Sequence, residues 1–166
     1  MLSRKRVIEA VFLSVLDYGD VIYRHAAAST LKQLDSVYHS ALRFITGDSY
    51  DTHHCMLYSK VGWPSLSTRR NHRWYLFIHK AISGKLPPYI SSLLKWNVGT
   101  QLTRSSSWLT LDVPFARTEL GSTAFSVDAP DTWNSLQQTF KLEALPSIVV
   151  FRRLLVNLCS SSCNCF

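Results

Sequence analysis

Carboxylate pairs are the first residues in this 166-residue chain whose types and spacing suit chemistry. Asp17 and Asp20 stand at i and i+3, so a helix would project both from one face, and Asp48 and Asp51 repeat the spacing in a turn-rich stretch. Two acids so placed can hold a divalent metal against phosphate oxygens, as phosphoryl transfer requires. The same spacing equally serves capping, solvation or pairing with a base such as Arg24, and close acidic pairs arise often by chance. Soft-metal donors form a second set: His53-His54-Cys55, and a tail with Cys159, Cys163 and Cys165. Structural zinc sites favour two ligand pairs roughly two to four residues apart. The one-residue gap between Cys163 and Cys165 fits that poorly, so free thiols are expected, with no metal and no other cofactor. Nucleophilic catalysis lacks its signatures, since there is neither a Gly-x-Ser-x-Gly elbow nor a Gly-rich phosphate loop.

Charge gives the clearest asymmetry. Residues 52–111 hold eight basic side chains and no Asp or Glu, while 1–51 carry six of each sign and 112–166 carry four basic and five acidic. The whole net charge of +7 therefore resides in the middle of the chain. Interleaved there are Trp63, Trp74, Tyr75, Phe77, Tyr89 and Trp96. Basic and planar side chains together suit a polyanion with stackable bases. Arg69, Arg70, Arg73 and Lys80 are the candidate nucleic-acid-binding residues, because they cluster on one helical stretch with no acid nearby in sequence. The alternative is a solvated helix face whose aromatic side is buried.

The elements that must position these residues are mainly α. Hydrophobic content of 46% with 17% charged residues supplies a core and argues against disorder. Ile8, Val11, Phe12, Val15 and Leu16 repeat at helical spacing, and that helix can continue through Tyr18, Val21 and Ile22. Thr30 with Gln33 has capping-box spacing, opening a second helix whose buried stripe is Leu31, Leu34, Tyr38, Ala41, Leu42 and Ile45 and whose stop is Gly47. His54–Lys60 predicts a helical turn or two. Pro64 stands near the start of a third long helix, with Trp74, Ile78, Ala81 and Ile82 on one face and Arg69, His72, Arg73 and Lys80 on another; Gly84 ends it. Pro87-Pro88 opens a short fourth. After a polar stretch at 97–107, Trp108–Val113 and Ala124–Val127 have β character and predict a hairpin. Helical turns follow around Trp133, and Ser147 caps a last helix. The chain thus reads as a helical region at 1–96, a linker at 97–107 and a small α+β region at 108–166.

The basic N-terminal residues followed by Val7–Leu16 superficially look like a signal peptide, but Glu9 interrupts the apolar run and no small-residue cleavage site follows. No stretch has the length of a membrane span. An intracellular location, nuclear or cytoplasmic, is expected.

Several segments, taken in order, resemble a known family. They are Val15-Leu-Asp-Tyr-Gly-Asp-Val-Ile-Tyr23, Ala41-Leu-Arg-Phe-Ile-Thr-Gly47, Val61-Gly-Trp-Pro-Ser-Leu66, Gly84-Lys-Leu-Pro-Pro-Tyr89, Thr103-Arg-Ser-Ser106, Ala124-Phe-Ser126 and Trp133-Asn-Ser-Leu136. This order is similar to the part that follows the palm in reverse transcriptases of LINE-type (non-LTR) retrotransposons, and it covers roughly residues 7–166. The resemblance implies a helical, thumb-like region that grips a template–primer duplex, with the palm of a larger reverse transcriptase as a further partner. It also implies an RNA-directed DNA polymerase fragment that is itself no enzyme. Tyr18-Gly-Asp20 is followed by Val21 rather than a second Asp, so it does not match the polymerase motif. Many relatives place Pro where this chain has Gln137. On this reading Met1 opens a reading frame inside a truncated element, and the alternative is a remnant without function whose fold is incomplete.

Overall fold

The computed structural model describes residues 2–97 and 108–158, and these are mainly helical, as expected. They pack as two compact units, one gathering residues 2–73 and the other spanning Trp74–Asn157. The division falls inside a helix, between Arg73 and Trp74, rather than at the expected linker. Of that linker only Asn97 lies within the described residues, and the cysteine tail and Thr103–Ser106 lie outside them.

The first unit opens with α1 (Leu2–Val7), a π-helical turn (Ile8–Leu13) and α2 (Ser14–Asp17). The face expected to be buried is not the one that is. Leu13 and Leu16 are buried and Ile8 and Phe12 half-buried, whereas Val11 and Val15 are exposed. Each π-helical residue advances less around the axis than an α residue, so the register slips by about one position and swings Leu13 inward. The helix does not run on through Tyr18. Tyr18 is extended and Gly19 takes φ +72°, after which α3 (Asp20–Tyr23) restarts the chain. Only glycine adopts that left-handed backbone without a Cβ penalty, and the break fixes how Asp17 and Asp20 are presented.

α4 (Ala28–Thr46) begins before Thr30, with Ala27 at its N-cap and no side-chain cap. The expected capping box therefore does not form, because Thr30 already lies inside the helix. Its stripe is as expected: Tyr38, Ala41, Leu42 and Ile45 are buried, and Leu31 and Leu34 half-buried. α5 (His54–Val61) packs against it, adding Leu57 and Val61 to a core that also takes Trp63 and Leu66. Tyr38 stacks on Trp63 with ring centroids 6.4 Å apart and donates its hydroxyl to the Pro64 carbonyl at 2.8 Å. α6 (Leu66–Ile82) follows, its first turn capped by Ser65 Oγ accepting the Thr68 N–H.

In the second unit α7 (Pro88–Ser91), α8 (Glu119–Ser122), α9 (Phe125–Phe140) and α10 (Ile148–Leu158) follow α6. Trp133, Phe151, Leu155 and Ile78 are fully buried. Among the described residues the expected β-hairpin does not form, and one antiparallel bridge, Trp96 with Leu111, is the β structure. Ala124 is instead the N-cap of α9, and Phe125–Val127 are its first residues. Tertiary packing overrides β propensity here: Phe125 meets Trp74 and Phe77 edge-on, each with ring centroids 5.7 Å apart.

α9 carries the clamps that hold this unit. Trp133 Nε1 donates to the Leu109 carbonyl at 2.6 Å, and the Asn134 amide makes two 2.8 Å bonds to the backbone of Leu111. Buried Gln137 accepts the Leu142 N–H at 2.8 Å, across a turn made by Lys141 at φ +48°. A proline at 137 could make no such side-chain bond.

Candidate nucleic-acid interface

The four residues expected to bind nucleic acid are divided between the two units. Arg69, Arg70 and Arg73 belong to the first unit and Lys80 to the second. Arg69 makes a two-pronged pair with Asp17, its Nε 2.8 Å from Oδ1 and one terminal nitrogen 2.6 Å from Oδ2. Arg73 reaches the same carboxylate at 2.5 Å, donates to the Asp17 carbonyl at 3.2 Å, and lies 3.4 Å from Asp20. Arg70 stands 3.9 Å from Asp35, an outer-edge pairing. A guanidinium fork matches a carboxylate in plane and charge, and two arginines one helical turn apart meet the two acids that flank the Gly19 break.

The absence of acids from 52–111 therefore left these arginines without local partners but not without partners. Asp17 and Asp20, weighed as metal ligands from their spacing, face guanidinium groups instead. The Asp17–Asp20 and Arg69–Arg73 spacings are complementary, and that match was the signal available in the sequence. Asp20 is buried; desolvation pushes its carboxyl above the ordinary range, Arg73 partly offsets this, and neighbouring Asp17 adds to the rise. Arg69 is held still more firmly protonated by its bonds to Asp17. Lys60 is also engaged, 2.6 Å from Asp48.

Different cations stay open in the second unit. Lys80, Lys85 and Lys95 are exposed and make no ion pair among the described residues. Two aromatic rings of the basic block are exposed as well, Tyr89 at 71% and Trp96 at 44%. By contrast Trp63 and Trp74 are core residues, and Tyr75 and Phe77 are half-buried. Trp96 edges a cavity of about 170 Å³, whose other walls include Ile82, Gly84, Ser91, Leu94 and Leu111. Gly84, at φ +66°, reverses the chain between α6 and Lys85. Sequence reasoning counted Tyr89 and Trp96 with the block but did not separate them from its buried rings.

Two histidines sit inside packing rather than at the interface. His79 is buried and stacked on Phe151, its Nε2–H donating to the Pro146 carbonyl at 2.8 Å, and burial lowers its pKa. His39, on α4, is half-buried and lies 2.5 Å from the Tyr58 hydroxyl of α5. Burial lowers His39 and pushes Tyr58 up to about 12.

Compared with protein-family models, with curated proteins and with solved structures, the chain matches none of them. Among the described residues no helix is long and apolar enough to cross a membrane.

Proposed function

We propose that the chain is a non-catalytic, retrotransposon-derived piece of a LINE-type reverse transcriptase that contacts template–primer nucleic acid through its basic middle. One observation carries the reading: Lys80, Lys85 and Lys95 are exposed and make no ion pair among the described residues, with the exposed rings of Tyr89 and Trp96 in the same acid-free stretch. Lysines attract phosphate by releasing counterions, and exposed rings stack on unpaired bases. Arg69 and Arg73 contribute less in this reading, because they are already engaged by Asp17 and, for Arg73, by Asp20. The same engagement supports the absence of polymerase chemistry, since Asp17 and Asp20 face guanidinium groups. Primer extension with Mg²⁺ or Mn²⁺ that Asp20→Asn abolishes would overturn it.

The binding claim is tested by titrating labelled primer–template duplex at several salt concentrations. Three phosphate contacts give a log–log slope of about −2.7, so affinity should fall roughly 40-fold between about 50 and 200 mM salt. A flat salt response would end the proposal.

A second reading, a remnant with an incomplete fold, draws on a specific feature. Val7, Val11, Val15, Tyr18 and Ile22 are large apolar residues left exposed along the N-terminal segment. On the family resemblance, the palm of a larger reverse transcriptase would cover them. Uncovered apolar faces favour association. A proteolysis time course separates the two readings, because an incomplete fold is cut quickly throughout and a stable one only at its exposed loops.

A further inference from the structure

We propose that His53, His54 and Cys55 form a binding site for a single borderline-soft divalent cation, Zn²⁺ being the natural occupant. One donor atom from each residue lies within 4.8 Å of the other two. Tetrahedral zinc needs bonds of about 2.0–2.3 Å, which set its ligands roughly 3.3–3.8 Å apart. Closing the remaining gap takes about 1 Å of side-chain movement, which rotation of exposed His53 can supply.

The local fold explains the convergence. His53 is the N-cap of α5, extended in backbone, and its Nδ1 accepts the Cys55 N–H at 3.4 Å. That bond turns the ring back over the first turn and brings it within 4.2 Å of the His54 ring; a neutral imidazole offers one lone pair, so a metal takes the place of the Cys55 N–H at Nδ1 and Nε2 keeps the proton. His54 is steadied from behind, stacked on His39 of α4 at 5.2 Å with the planes 15° apart. Such a second layer fixes ring orientation, as outer partners do in metal sites. Cys55 lies in the first turn of α5 and would bind a metal as the thiolate, releasing its proton on binding. Two imidazoles and one thiolate make a donor set for Zn²⁺ or Cu(I) rather than Mg²⁺ or Ca²⁺, which take oxygen ligands. Three protein ligands leave a fourth position for water. Arg43, on the neighbouring helix, opposes a cation, but it is drawn over the Tyr50 ring at 4.9 Å, and the thiolate charge compensates locally.

The tail cysteines would confuse any measurement, so the full chain with Cys159→Ser, Cys163→Ser and Cys165→Ser is the reference protein. Titrated with Co²⁺, it should bind one ion per chain and develop a thiolate-to-cobalt charge-transfer band that Zn²⁺ then bleaches. Adding Cys55→Ser should abolish the band, and His53→Ala should weaken binding by at least the roughly 10–100-fold that loss of an outer partner brings. Cys55 is only half-buried and His53 exposed, so both variants should retain the helical circular dichroism of the reference. Absence of the band in the reference protein, or its persistence after Cys55→Ser, would overturn the site. Nucleic-acid binding takes no part in this test.

Discussion

The described basic residues of 52–111 meet opposite fates in the two units. In the first, Arg69, Arg73, Arg70 and Lys60 each have a carboxylate, supplied by Asp17, Asp20, Asp35 and Asp48 from sequence positions before them. In the second, Lys80, Lys85 and Lys95 have none among the described residues. Apart from Lys60, the side-chain types divide the same way. Arginine's planar fork is used where bidentate geometry joins elements, and lysine's mobile point charge where solvent access is kept. A basic stretch in a sequence is thus two things in the fold: mortar where acids can reach it, and free field where they cannot.

Removing the shared acid tests the first half of this comparison and should give the largest effect. The Asp17 side chain is 12% exposed and accepts from two arginines. Asp17→Ala leaves both guanidinium groups without their counter-charge, which should cost on the order of 3 kcal/mol. Solvent access at Arg69 and Arg73 keeps the loss toward the low side of buried pairs. Urea denaturation at neutral pH measures it. As a contrast, Asp48→Ala removes the pair with the largely exposed Lys60 and a bond to Thr46, and should cost much less than Asp17→Ala. Equal losses in the two variants would erase the distinction between clamped and free charge.

Nucleic-acid affinity tests the other half. Lys80→Ala/Lys85→Ala/Lys95→Ala should weaken duplex binding on the order of 100-fold near 0.15 M salt and flatten the log–log salt slope by about 2.7. Arg69→Ala/Arg73→Ala should change the slope far less in whatever protein remains folded. If instead the arginine pair shifts the slope by nearly two, phosphate outcompetes Asp17 and the comparison breaks.

Much of the fold was legible because it rests on local pattern. The stripe of α4, the stops at Gly47 and Gly84 and the cap at Ser147 follow from helical period and backbone freedom. The failures share a cause in long-range packing. The π-helical turn that buries Leu13 in place of Val11 leaves no signature in a repeat counted at α spacing. Phe125 reads as strand until Trp74 and Phe77 are found against it. The pairing at the candidate site was hidden likewise: a count of acids between 52 and 111 cannot see Asp17, which reaches Arg69 from 52 residues away.

The aromatic pair gives a smaller effect that asks what kind of strand is bound. Tyr89→Ala or Trp96→Ala should each cost about 1–3 kcal/mol of affinity for a single-stranded oligonucleotide, by loss of one stacked base. Fully paired duplex should lose much less, because its bases are already stacked on one another. Measured by fluorescence anisotropy at fixed salt, an equal loss on both substrates would point to a structural role, for which the bridge of Trp96 to Leu111 is the obvious route.

The finest test concerns pH and sets Asp20 apart from the exposed lysines. Burial, partly offset by Arg73, holds the Asp20 carboxyl above its ordinary value of 3.8. A carboxyl with a higher pKa folded than unfolded binds its proton more readily in the folded chain. Its contribution is therefore fully present below about pH 3.8 and is lost as pH rises through the folded value. Because the net shift is upward, the cost of burying the charge exceeds what Arg73 returns. Asp20→Asn keeps the shape and removes the charge, so its stability relative to the unsubstituted chain should rise as pH climbs from the unfolded value and level off above the folded one. Urea midpoints for both proteins across this range measure the gap. A gap that shrinks with pH would mean that Arg73 compensates Asp20 fully, and the cluster would then be a balanced ion-pair network with no strained acid in it. The triple lysine variant should show no such pH-dependent gap, since none of its three side chains faces a buried carboxylate among the described residues.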